Sequence, residues 1–320
     1  MQSYSIDSSP HNIEELYVTY KSHLFAIAYR MLGSRADAED MVQDLFISLH
    51  GYLNENITNI KSFLSKMMIN RCLNELKSAR KKRISYVGNW LPEPTVELND
   101  DGPLDSIERH DTISYAFLVF MEKLTPLERA VFILREVFAY EHSEIGEMVD
   151  KSEVNCRKIY SRVKKKINEY SEKNDVQSTR FTEEHELVTR FITAISSGNI
   201  QSLVNMLTED VIFFADGGGK VSAAINPIYR RERVLSILNA LSSSRFPGTL
   251  AQLVKVNDQP GVLLTTKEGT PTGVICFEWN AQTMCIHRIY LIVNPDKLQH
   301  LNEFAIFKTM VYLLGSSWSE

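Results

Sequence analysis

The chain has 320 residues, enough for two or three domains that each bury a core. Its 44% hydrophobic and 23% charged residues are ordinary for a globular protein, and a formal net charge of -5 excludes nucleic-acid binding through overall basicity. Any DNA-binding face must be local and offset by acid elsewhere. The four cysteines, Cys72, Cys156, Cys276 and Cys285, form no CxxC pair and have no His at zinc-ligand spacing. They read as buried thiols in a reducing cytoplasm, and the sequence calls for no metal or other cofactor. The polar start, Met1 to His11, lacks the apolar run of a signal peptide, and the stretch Ala305 to Leu314 is too short to span a bilayer and is broken by Lys308. A cytoplasmic protein with no membrane partner is expected.

From Ile13 to Arg83 the pattern is helical, with few Gly or Pro. Within it, Asp37, Glu39, Asp40, Gln43 and Asp44 surround a helix whose apolar residues are Met41, Val42, Leu45 and Phe46. That acidic face suits protein docking, although a solvated face on a core helix has the same pattern. The run from Lys61 to Arg83 carries Lys61, Lys66, Arg71, Lys77, Arg80, Lys81, Lys82 and Arg83 against one acid, Glu75. Such a run can neutralise several phosphates and release their counterions. Asn70 and Asn74 lie one turn apart and present polar groups together. Lysines favouring a helix C-terminus account for Arg80 to Arg83, but not for a second basic helix some eighty residues later.

A linker of about Ile84 to Asp111 holds Trp90-Leu-Pro-Glu-Pro94 and an acidic run from Glu97 through Asp105. Helical pattern returns from about Thr112 to Glu172. Thr125-Pro-Leu-Glu128 is a capping box with Pro at the first helical position. Behind it Leu127, Ala130, Val131, Leu134, Val137 and Phe138 mark one face. A second helix runs from about Glu141 to Val149, Asp150-Lys151 interrupts, and Ser152 caps a third reaching Lys166. With Arg157, Lys158, Arg162 and Lys164 on that last helix, the outline is a helix-turn-helix. An ordinary helical hairpin shares the outline, but two separated basic helices suggest two DNA contacts.

After a polar stretch, Ser171 to Thr182, helices give way to strands. Helices are expected over Glu183 to Ser197, Ile200 to Leu207 and Arg231 to Ser243, with Gly198-Asn199 as a stop. Strands are expected over Val211 to Ala215, Gly273 to Trp279 and Met284 to Val293, the last two joined by a turn at Asn280 to Thr283. The loop Asp216-Gly-Gly-Gly-Lys220 is not a Walker A motif, because Phe214 and Val221 stand where Gly and Ser or Thr are needed. Its glycines predict a tight turn with positive φ, docking against Trp90 to Pro94. Asp216, Trp279, His287 and Tyr290 are the residue types of an acid-base site, but polar residues alternating on a strand explain them, and no enzyme is expected. The tail has Phe304, Phe307, Val311 and Leu314 at helical spacing, expected to pack on its own domain or on the helical body.

Tyr29-Arg-Met-Leu-Gly-Ser-Arg-Ala-Asp-Ala-Glu-Asp-Met-Val-Gln-Asp-Leu-Phe46 resembles region two of sigma-70 family factors of the extracytoplasmic-function group. Ser62-Phe-Leu through Asn70, with Leu73-Asn-Glu-Leu-Lys-Ser-Ala-Arg80, resembles the segment that opens and reads the minus-ten element. Leu124-Thr-Pro-Leu-Glu-Arg-Ala-Val-Phe-Ile-Leu-Arg-Glu-Val-Phe138 resembles region four, which reads minus-thirty-five DNA. Trp90 to Pro94, Asp216 to Lys220 and Asn294-Pro-Asp-Lys-Leu298 resemble motifs of sigma factors with a SnoaL-like extension.

The resemblance implies a multidomain fold: two all-α sigma domains, a region 2 bundle (10–84) and a region 4 helix-turn-helix (112–172), joined by a linker (85–111). An α+β SnoaL-like (NTF2-like) cone domain with a curved antiparallel sheet (183–298) and a tail (299–320) follow. It implies that Asp37, Glu39, Asp40, Gln43 and Asp44 dock on the clamp of the largest RNA polymerase subunit, the flap of the second largest being a further contact. Asn70, Arg71 and Asn74 would hold unstacked minus-ten bases, at a cost of about a few kcal/mol per extruded base, with Lys77, Arg80, Lys81 and Arg83 on phosphates. Ser152, Glu153, Asn155, Arg157, Lys158 and Arg162 would enter or flank the major groove of minus-thirty-five promoter DNA. Trp90, Leu91, Pro92, Asp216, Gly217, Gly218, Gly219, Lys220, Asn294, Pro295, Asp296, Lys297 and Leu298 would form a regulatory docking site, beside a pocket able to take a small-molecule ligand. Asn74-Glu75 departs from the family's usual Asp-Arg, so promoter preference does not transfer, and the tail is longer than the motif requires. A stand-alone helix-turn-helix regulator with a ligand-sensing domain would need neither the acidic segment nor the Asn70 helix, and a SnoaL-like enzyme with a DNA-binding appendage would show turnover of a small substrate that is lost on Asp216→Ala.

Overall fold

A computed structural model describes residues 13–49, 51, 57–97, 114–174, 181–240, 249–280 and 282–301. The chain divides into two compact units, Met1–Arg80 with Leu124–Val163 and Lys81–Lys123 with Lys164–Glu320.

In the first unit, α1 (Ile13–Leu32) opens on Glu14 and Glu15 and closes on Arg30, charges that complement its dipole. Gly33, at φ 68°, turns the chain, and the Ser34 hydroxyl accepts the Asp37 N–H to start α2 (Arg35–Leu49). Ala38, Val42, Leu45 and Leu49 of α2 are buried, as are Leu24, Ile27 and Met31 of α1 and Leu64, Met68, Ile69 and Cys72 of α3 (Ile60–Ile84). Each large apolar side chain so placed contributes about 1.5–3 kcal/mol.

The capping box forms at α5 (Pro126–Phe132): the Thr125 N–H donates to Glu128 at 2.9 Å and the Glu128 N–H to Thr125 at 3.3 Å. The helix then widens into a π-helical turn over Ile133–Val137 and ends before Ala139 at φ 56°. Phe132 and Ile133 are buried there beside Leu134, on a broader face than the single stripe expected. α6 (His142–Val149) stops at Asp150, which is left-handed at φ 54°, and Ser152 caps α7 (Glu153–Asn174) by accepting the Asn155 N–H. α7 thus continues beyond Lys166, where the sequence pattern placed its end. Two buried polar ties hold α1, α3 and α5 together. Arg129 donates to the Met31 carbonyl at 2.5 Å, and Tyr140, Ser65 and His23 form a hydrogen-bonded chain at 2.8 and 3.0 Å.

The second unit is α+β. Its sheet has the order β1-β4-β5-β6-β7-β2-β3, from β1 (Val96–Glu97), β2 (Leu207–Asp216), β3 (Ile228–Tyr229), β4 (Leu250–Val256), β5 (Gln259–Thr265), β6 (Pro271–Trp279) and β7 (Ile286–Ile292). β2 pairs with β7 in parallel, so the sheet is mixed rather than wholly antiparallel as expected. β7 begins after Met284 because that residue sits at φ 52°, outside the extended region. Side chains alternate between the two faces. Phe277, Trp279, Ile289 and Leu291 pack under α8 (Phe181–Ser197), α9 (Ile200–Met206) and α10 (Arg231–Ala240) through Phe191, Leu203 and Val234. On the opposite face Val254, Val274, Cys276, Tyr290 and Ile292 bury Leu91, Val96 and Tyr115, the last from α4 (Tyr115–Met121), together with Leu298 and Leu301 of a 3₁₀ segment, Pro295–Leu301. The stretch read as a linker therefore supplies an edge strand and, through Leu91 and Val96, part of one core.

Cys72, Cys156 and Cys276 are buried as expected, whereas Cys285 is half-buried, its Sγ 3.8 Å from the Asn205 carbonyl. Most of the acidic run after Glu97, the expected helix end at Ser243, and Phe304, Phe307, Val311 and Leu314 lie outside the described residues. Among the described residues no helix is long and apolar enough to cross a membrane.

Candidate functional site

On α2, Asp37, Glu39, Asp40, Gln43 and Asp44 are all exposed, opposite the buried Ala38, Val42 and Leu45. Arg35 pairs with Glu39 at 2.9 Å. Ile47, 74% exposed and one turn beyond Gln43 and Asp44, extends this face with an apolar residue. Sequence reasoning passed over it, although its signal was present: it falls out of phase with the Val42, Leu45, Phe46 and Leu49 stripe.

On α3, Lys66, Asn70, Asn74 and Lys77 form one exposed row at helical spacing. Arg71 does not join it. Half-buried, it donates to the Ser48 hydroxyl at 2.6 Å and so ties α3 to α2. The backbone of α3 continues through Arg80, Lys81 and Arg83, whose side chains lie outside the described residues. On α7, Ser152, Glu153, Arg157, Lys158 and Arg162 are exposed and Asn155 is half-buried, while Cys156, Ile159 and Val163 face inward. Arg157 pairs with Glu153 at 2.5 Å. Gly146 is needed beside the turn between α6 and α7, because a Cβ there would lie 2.6 Å from the Lys151 carbonyl oxygen.

The three short motifs of the second unit meet at Asp216, which is fully buried. Its carboxylate accepts the Leu91 N–H at 2.9 Å, the Tyr86 hydroxyl at 2.5 Å and the Gly218 N–H at 3.0 Å, and pairs with the Lys297 ammonium at 2.7 Å. Lys297 also donates to the Leu91 carbonyl and lies 4.2 Å from the centre of the Trp90 ring. Asn294 donates to the Tyr86 hydroxyl at 3.0 Å, and Tyr115 donates to the carbonyl of the buried Pro92 at 2.7 Å. Burial, reinforced by Asp216, raises the Tyr86 phenol pKa, so it stays a donor. Tyr86 and Tyr115 were missed from the sequence; each is a single tyrosine outside a motif.

The glycines of the loop serve two ends. Gly218 and Gly219 have φ of 60° and 72°, whereas Gly217 shows no positive φ and is needed because a Cβ would lie 2.2 Å from the Val221 carbonyl oxygen. Lys220 and Asp296 pair at 2.6 Å on the surface, Pro295 is exposed and Leu298 is buried. The four acid-base residue types are engaged separately: Asp216 as above, Tyr290 on Glu278 at 2.8 Å, Trp279 against Phe277, and His287 beside Asp210 at 3.6 Å.

The family model for Sigma-70 region 2 matches residues 16–82, and that for Sigma-70, region 4 matches residues 115–167. The ECF RNA polymerase sigma factor SigJ of Mycobacterium tuberculosis is 30% identical over 295 residues, covering 87% of this chain and 90% of that protein. The chain belongs to the extracytoplasmic-function sigma factors. A probable ECF RNA polymerase sigma factor of the same organism, SigI, is 28% identical over 286 residues, with 88% of this chain and 93% of that one covered. The crystal structure of SigJ superposes with a TM-score of 0.70 at 26% identity, over 90% of this chain and 98% of SigJ. This ECF sigma factor is thus a transcription initiation factor with helical regions 2 and 4 and an α+β carboxy-terminal domain. Its region 4 match begins at α4, the helix that packs with the linker on the sheet.

Proposed function

We propose that this ECF sigma factor docks on the polymerase clamp through the exposed face of α2 and reads minus-ten DNA with the Asn70 to Lys77 row. Region 4 reads minus-thirty-five DNA with the start of α7 and lies on the flap, and the factor works in the cytoplasm. Its carboxy-terminal domain modulates initiation in cis by holding the linker between regions 2 and 4. The observation carrying this reading is Lys297, which bonds both the Asp216 carboxylate and the Leu91 carbonyl, joining three sequence motifs at one ammonium. A domain that grips the linker restrains the segment that must adjust when the two regions occupy separate promoter elements.

The same reading includes a small-molecule signal acting on the carboxy-terminal domain. On the helix-covered side of the sheet, Glu184 and Trp279 each bury a polar atom with no hydrogen-bond partner, and burial raises the Glu184 carboxyl pKa to about 7. Bond-making chemistry belongs to the polymerase in this reading.

Trp90→Ala removes the ring under Lys297 without touching regions 2 or 4. It should change promoter-specific transcription several-fold at equal protein abundance. Activity equal to wild type would contradict control through the linker.

A further inference from the structure

Within the first compact unit, the region 4 stretch Leu124–Val163 packs against the region 2 stretch Met1–Arg80. The meeting surface is buried and polar at its centre. From α5, Arg129, only 3% exposed, donates to the Met31 carbonyl near the end of α1 at 2.5 Å. Beyond the π-turn, the Tyr140 hydroxyl shares a hydrogen bond of 2.8 Å with that of the buried Ser65 on α3, and Ser65 bonds His23 of α1 at 3.0 Å. Phe138 meets the His23 ring edge-on with ring centres 4.8 Å apart, and the Arg30 guanidinium lies 5.6 Å from the Phe138 ring centre. The Lys61 ammonium is 5.9 Å from the centre of the Tyr140 ring. Two backbone departures lie at this contact: the π-turn over Ile133–Val137 and the left-handed Ala139 at φ 56°. Such geometry persists only where its neighbours over-determine it, and it gathers at functional sites.

A compact unit of about 120 residues measures about 35 Å across. The centres of the minus-ten and minus-thirty-five elements lie about 25 base pairs apart, or about 85 Å along the duplex. One closed unit cannot reach both. We infer that the face of α1 and α3 around Met31, Ser65 and His23 is an intramolecular docking site for region 4, which holds the factor closed until both promoter elements are engaged. The tie consists of a few polar bonds, each of which water can replace on opening. The exposed faces of α2, α3 and α7 leave the closed unit free to take up polymerase or one element first. The inference rests on the reading of regions 2 and 4 as readers of separate elements.

The test uses the full chain with donor and acceptor dyes at Thr19→Cys on α1 and Glu147→Cys on α6, both exposed, in a Cys285→Ser background. Energy transfer between the dyes should be high in the free chain. It should fall at least about twofold once core polymerase and duplex DNA from upstream of the chain's own gene are bound. Tyr140→Phe keeps the ring but loses the bond to Ser65, and Ser65→Ala removes the same bond from the other side. By weakening the closed state, each should tighten assembly with core polymerase and that duplex about 2- to 10-fold, a gain that damage to the fold would not produce. Unchanged transfer in a complex that makes a defined transcript overturns the inference alone. Equal or weaker assembly in both variants overturns it too, because the bond then does not hold the factor closed. A chain that neither binds core polymerase nor gives a defined start overturns the reading of its two regions, and the inference with it.

Discussion

Asp216 and Lys297, 81 residues apart in sequence, form a buried ion pair at 2.7 Å, and the same ammonium reaches the Leu91 carbonyl. One lysine thereby closes the linker against the carboxy-terminal domain. Removing one partner of a buried pair leaves the other charge uncompensated. Lys297→Met should therefore cost about 3–5 kcal/mol in urea unfolding. Adding Asp216→Asn should recover part of that loss; a double variant less stable than Lys297→Met would contradict the pairing.

Gly218 and Gly269 both have positive φ, but only Gly218 is crowded. A Cβ at Gly218 would lie 2.3 Å from the Asn294 amide nitrogen, whereas none of the atoms around Gly269 comes within 4 Å. Gly269→Ala should lower stability by about 1–2 kcal/mol, the left-handed cost alone. Gly218→Ala should lower it further and displace Asn294 from Tyr86. Equal losses in the two variants would refute the close approach.

His23 provides an acid sensitivity. Burial, aided by Lys61 and Arg30, lowers its pKa to about 4, beneath the 6.5 of the free side chain. Between these values the unfolded chain binds a proton that the folded chain refuses. This share of stability is therefore complete above about pH 6.5 and is lost as pH falls towards 4. After discounting for partial exposure the loss is about 1–2 kcal/mol. His23→Gln should flatten the fall of the urea midpoint between pH 7 and 4; an unchanged slope would assign the acid sensitivity elsewhere.

The exposed carboxylates of α2 can be reversed without disturbing the core. Asp40→Lys with Asp44→Lys should change stability by no more than about 0.5 kcal/mol per site. The same pair should abolish co-purification with core polymerase. Normal co-purification would remove this face from the polymerase contact.

The sigma helices were legible because their signals are local. Thr125 and Glu128 cap each other, Ser152 starts α7, and the acidic and basic stripes of α2 and α3 repeat at helical spacing. The π-turn after Phe132 was not legible, since widening a helix by one residue leaves the apolar composition unchanged. Nor was the edge strand Val96–Glu97, whose pairing with Lys255 and Val256 depends on residues far along the chain. The motif residues Asp216, Lys297 and Leu91 could be named from sequence, but Tyr86 could not, because its role exists only once Asp216 and Asn294 are beside it. Arg71 shows the converse. A basic residue in a basic run carried no sign that Ser48 would claim it.

The most direct measurement is promoter-specific transcription in vitro, with the purified chain, bacterial core polymerase and DNA from upstream of its own gene. The predicted result is a defined start that requires the chain, is lost with Asp40→Lys and Asp44→Lys, and changes in strength with Trp90→Ala. An absence of any transcript, together with no binding to core polymerase, would contradict the account.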